Sequence, residues 1–93
     1  MAIELKNYDV AEHLSNDEEI RLYLEAAFED GDPAIIKNAI SNVVRARGMT
    51  AMAKESGVSR ETLYKAFAEN GNPTLDTLMK VTKALGVRLA IAA

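Results

Sequence analysis

Arg60, Glu61, Thr62, Tyr64 and Lys65 fall within six consecutive residues of the stretch TAMAKESGVSRETLYKAF, Thr50 to Phe67. A guanidinium, an ammonium, a hydroxyl and a phenol set so closely are the chemistry of base-edge and phosphate contact. To act on one surface these side chains need a common helix, and the flanking residues supply it. Thr50 is expected to cap a short helix over Ala51 to Ser56. Gly57 stops it, because glycine enters the left-handed conformation without steric penalty. Val58 turns inward, and Ser59 caps a second helix, Arg60 to Phe67, with Leu63, Ala66 and Phe67 on its buried face. Ala53, four residues before Gly57, faces the second helix where a larger side chain would force the two apart. The pattern is that of a helix-turn-helix reading DNA, its second helix entering the major groove amino end first. An ordinary two-helix hairpin in a small bundle would share the same spacing.

Other chemistry finds little footing. His13 is the single histidine and there is no cysteine, so a thiolate or imidazole metal site lacks ligands. Glu12, Asp17, Glu18 and Glu19 show no calcium-loop spacing and read as a solvated face. No phosphate loop, nucleophile elbow or paired-carboxylate signature is present, so neither catalysis nor a cofactor is expected. Ninety-three residues make one domain. The amino terminus lacks a signal-peptide pattern and no apolar run approaches membrane-spanning length, so a soluble cytoplasmic protein is expected.

The net charge of −3 conceals a division. Residues 1–44 hold three Lys and Arg against ten Asp and Glu, whereas residues 45–93 hold eight against four. One acidic and one basic surface are expected. Ile3 to Lys6 alternates like a short strand, and Asp9 starts a brief helix to Leu14. Ser15 and Glu18 form a capping box for a helix whose stripe is Ile20, Tyr23, Leu24, Ala27 and Phe28, ending near Gly31. Asp32 and Pro33 open the next helix, with Ile35, Ile36, Ala39, Ile40, Val43 and Val44 inward, stopping at Gly48. Arg45 and Arg47 suit either the negative end of that helix or phosphate contact. After the Asn70 to Pro73 turn, Thr74 caps a helix from Leu75 to Leu85 whose inner face is read as Leu75, Leu78, Met79, Thr82 and Leu85. Gly86 closes it before a strand-like Val87 to Ile91. The expected architecture is mainly α, a helix-turn-helix bundle with short amino- and carboxy-terminal strands that pair with each other or offer edges to another chain.

Four stretches, YDVAEHL, LEAAFEDGDPAIIKNAI, ARGMTAMAKESGVSRETLYKAF and GNPTLDTLMKVTKALGVRL, make nearly the whole chain resemble the addiction-module antidote proteins. These are small lambda-repressor-like antitoxins of the Xre class, similar to HigA. The resemblance implies a small basic RelE-like or ParE-like toxin as partner and repression of the protein's own operon. It places base-reading positions on Arg60, Glu61, Thr62 and Lys65, and backbone clamps at Thr50 and Asn72. Ser59 and Tyr64 complete the DNA-binding set. The first motif helix reads about two residues shorter than in phage repressors and has no glutamine at its amino end.

The single domain then divides into an acidic part, 1–48, expected to bind the toxin with Ile3, Leu5 and Tyr8 as apolar anchors; the motif and following helix, 49–86; and a carboxy-terminal strand, 87–93. A homodimer on a palindromic operator is expected, with Val87, Leu89 and Ile91 as preferred contacts. A stand-alone phage-type repressor and a helical interaction module that never touches DNA are the other readings these residues allow.

Overall fold

A computed structural model of the chain describes Leu14 and residues 16–91. Five helices are found there: α1 (Asp17–Asp30), α2 (Pro33–Arg47), α3 (Met49–Ser56), α4 (Arg60–Ala66) and α5 (Leu75–Ala84). None is long and apolar enough to cross a membrane.

Helix α1 is capped by Asn16, whose Oδ1 accepts from the Glu19 amide at 2.8 Å. The capping box expected at Ser15 therefore gives way to a cap one residue later, where an asparagine serves as well as a serine. Asp17, Glu18 and Glu19 still fill the first turn, and Ile20, Leu24 and Ala27 are buried. Asp32 caps α2 by accepting from the Ala34 amide at 2.9 Å, with Pro33 at the first helical position. Ala39, Ile40, Val43 and Val44 are buried as expected. Ile35 is not; it lies on the flank of α2 beside Tyr23 and Ala27.

The short helix α3 holds the bundle together. It packs against α2, α4 and α5, whereas α1 packs on α2. Its Met52 is fully enclosed, in one core with Leu24, Ile40, Val43, Val44, Leu63 and Val81.

Helix α5 is rotated from the expected face. Leu75 is 72% and Met79 47% exposed, while Thr77, Val81, Thr82 and Leu85 are buried. Thr82 and Leu85 are inside as expected and Leu78 packs on the core, but Thr77 and Val81 take the places expected for Leu75 and Met79. The Thr82 hydroxyl donates to the carbonyls of Leu78 (2.9 Å) and Met79 (3.2 Å), and Thr77 Oγ1 accepts from Thr74 Oγ1 at 3.1 Å. Bonded within its own helix, a hydroxyl no longer opposes burial.

The carboxy-terminal strand is a second correction. Residues 87–91 form no strand. The Val87 amide donates to Thr82 O at 3.0 Å, Val87 rests against the core, and the chain then emerges until Ile91 is 99% exposed. Alternation provides a face but not a ladder, and no other extended segment lies alongside among the described residues. The strand expected at Ile3 to Lys6 lies outside the described residues, as does the helix from Asp9 except for Leu14, which is buried.

Two glycines decide the loops around α4. Gly57 ends α3 with φ 78°, its amide donating to Ala53 O. Gly71 follows α4 at close quarters: a Cβ there would overlap the backbone carbonyl oxygens of Lys65 and Ala66. Backbone cannot yield as a flexible side chain can. Gly71→Ala is therefore expected to cost about 2–3 kcal/mol, the upper part of the span for core overpacking. Gly57→Ala, which has open space but a left-handed backbone, should cost about 1–2 kcal/mol. Urea denaturation of the two variants checks both the size and the order.

Candidate functional site

The face of α4 opposite the core carries the residues singled out above. Leu63 and Phe67 are buried, fixing the helix so that Arg60, Glu61, Thr62, Tyr64 and Lys65 are exposed. Ser59 caps it as expected. Its Oγ accepts from the Thr62 amide at 3.1 Å and donates to Thr62 Oγ1 at 2.9 Å. With that bond received, the Thr62 hydroxyl can donate outward. Ser59 itself is thus occupied in shaping the helix start.

The Arg60 guanidinium lies 5.9 Å from the centroid of the Tyr64 ring. That is the outer limit of a cation–π contact, worth about 0.5–1 kcal/mol at an exposed site. The contact restrains a long side chain along the helix face and leaves its planar donor edge available. A groove of about 400 Å³ runs beside Tyr64, lined also by Ser41, Arg45, Met49, Phe67 and Ala68. Arg45 of α2 is thereby brought onto the same surface as α4.

Arg47 has a different role. Its guanidinium reaches Asp17 at 3.4 Å and Glu55 at 3.5 Å, tying the start of α1 to α3. Of the two arginines read as dipole partners or phosphate contacts, Arg45 faces the candidate surface and Arg47 is engaged in ion pairs. Two apart on a helix, they point to nearly opposite faces, Arg47 continuing the stripe of the buried Val43 and Val44 and Arg45 turning away from it.

Thr50 does not cap α3. The helix begins at Met49, with Gly48 before it and no side-chain cap, so the first motif helix has the two residues that it was expected to lack. Thr50 is exposed in the first turn. Asn72 is exposed on a separate groove of about 360 Å³ that Pro33, Lys37 and Leu78 also line. It connects to α4 through the 67–71 loop. Ile3, Leu5 and Tyr8 lie outside the described residues. The acidic surface expected from the charge division is present on α1, where Glu18, Glu19, Glu25, Glu29 and Asp30 are exposed around a half-exposed Leu22. Arg21, the one basic residue of α1, is paired with Glu25 at 3.9 Å.

The chain is similar to known proteins over nearly its whole length. A family model described as "Probable addiction module antidote protein" matches residues 4–93. An uncharacterized protein of Haemophilus influenzae is 45% identical over 91 residues, covering 98% of this chain and 94% of that protein. No solved structure matches.

Because Ser59 supports the first turn of a helix only seven residues long, Ser59→Ala is expected to lower stability by about 1 kcal/mol, while Ser59→Asp, an equally good cap, retains it. Chemical denaturation of the pair distinguishes a capping role from mere side-chain truncation.

Proposed function

This chain belongs to the family of probable addiction module antidote proteins, and from that premise we propose that it is the antitoxin of a type II toxin–antitoxin module, neutralising a small basic RelE-like or ParE-like toxin by direct binding and repressing its own operon without catalysing any reaction. The observation that carries the DNA half of this reading is the outward face of α4, where Arg60, Thr62, Tyr64 and Lys65 stand exposed opposite the buried Leu63 and Phe67. In the proposal α4 enters the major groove of double-stranded operator DNA. Arg60 and Lys65 supply most side-chain recognition with Thr62 assisting, and Arg45, Thr50 and Asn72 hold the flanking backbone.

The toxin half rests on family membership and on charge. The carboxylates of α1 attract a basic partner and speed encounter, and Ile3, Leu5 and Tyr8 serve as the apolar anchors that set affinity. The protein acts in the cytoplasm as a homodimer, since one α4 spans too few base pairs to specify an operator. Two copies would set their α4 helices about 34–36 Å apart, one turn of DNA.

Arg60→Ala should weaken operator binding by about 1–3 kcal/mol and relax preference at one base pair. Titrations across single-base operator variants measure this; unchanged affinity and preference in a folded variant would remove Arg60 from the site. For the toxin half, the chain is co-expressed with the product of any adjoining reading frame that encodes a small basic protein. Its untagged retention on the tagged antitoxin is the expected result, and removal of residues 1–30 from a chain that still folds should abolish both retention and neutralisation.

A further inference from the structure

Lys37 lies in the first half of α2 and lines the groove on which Asn72 is exposed, but the proposed function gives it no part. Its ammonium donates to three backbone carbonyls of one loop: Ala68 O at 2.9 Å, Glu69 O at 2.8 Å and Gly71 O at 3.0 Å. An ammonium has three donors, and all three are taken. Three carbonyl dipoles aimed at a single point repel one another unless a cation sits there. A planar guanidinium, with its donors spread along a fork, fits such a point poorly.

The loop so gathered runs from the end of α4 to the cap of α5. Gly71 lies directly against the Lys65 and Ala66 carbonyls of α4, its amide donates to Ala68 O at 2.8 Å, and Asn72 follows. α2 therefore reaches past its own neighbours to hold the carboxy end of the short helix. With its donors engaged, Lys37 is not itself a phosphate contact.

We propose that Lys37 is a positioning residue for the DNA-facing surface: its ammonium gathers the 68–71 carbonyls and so fixes the carboxy end of α4 and the place of Asn72. This inference rests on the DNA-binding reading above.

The chain contains no cysteine, so Lys37→Cys introduces a single thiol. Alkylation with bromoethylamine rebuilds an ammonium on a side chain of lysine's length, whereas iodoacetamide leaves a neutral amide. The probe is a duplex taken from immediately upstream of the protein's own reading frame, titrated at a temperature where circular dichroism shows each variant folded. The expected result is roughly tenfold weaker binding for Lys37→Met and for the neutral amide adduct, about the loss of one well-placed charge-assisted hydrogen bond. The aminoethyl adduct should return to within about threefold of wild type. The salt dependence should keep its slope, because no phosphate contact is deleted, and amide shifts in nitrogen-15 spectra should concentrate at residues 66–72. If Lys37→Met does not fold, Lys37→Arg replaces it with the same expectation of weakened binding.

Wild-type affinity in a folded variant without the ammonium, or no recovery on aminoethylation, overturns the proposal. A salt slope lowered by about one also overturns it, by making Lys37 a direct phosphate contact. A wild-type protein that fails to bind the duplex at all contradicts the DNA-binding reading instead, and is recognised before any variant is compared.

Discussion

Seven residues make two turns of helix, and an isolated helix of that length does not persist in water. The surface that presents Arg60, Thr62, Tyr64 and Lys65 therefore depends on what holds α4 from outside. Four restraints do so. Ser59 supplies the first-turn acceptor, the left-handed Gly57 sets the angle from α3, Leu63 and Phe67 anchor the inner face, and Lys37 ties down the loop beyond the last turn. Helix α3 transmits these restraints to the remainder of the bundle, since it touches α2, α4 and α5 together.

The division of charge becomes a division of space in this fold. Helix α1 carries the exposed carboxylates and packs on α2, while the cations of α4 lie beyond α3. Anionic and cationic surfaces are thus carried by different elements of one small domain. Arg47 secures the arrangement by bridging Asp17 and Glu55, although ion pairs this open to solvent contribute only about 0–1 kcal/mol.

Much of this is legible in the sequence because it is written locally. Caps at Asp32, Ser59 and Thr74, the stops at Gly31 and Gly57, and the stripes of α1 and α2 all depend on residues within one or two turns. What could not be read is set by partners distant in the chain. The alternation of Val87 to Ile91 implies a strand only if a second segment pairs with it. The inner face of α5 takes in Thr77 and Val81 beside the expected Thr82 and Leu85, and leaves out Leu75 and Met79, because what packs against the helix sets its rotation. Lys37 gave no signal at all: a lysine on an amphipathic helix reads as solvated, and the three carbonyls it holds lie more than thirty residues away.

In the proposed function the outward face of α4 meets DNA while α1 does not. The most direct measurement is a nitrogen-15 amide titration of the intact protein with the duplex from upstream of its own reading frame, at low ionic strength where phosphate contacts are strongest. Shifts are expected to concentrate on Ser59 to Lys65, with smaller ones at Thr50 and Asn72, and unmoved amides along Asp17 to Asp30. Shifts centred on α1, or a spectrum unchanged by a molar excess of duplex, would contradict it.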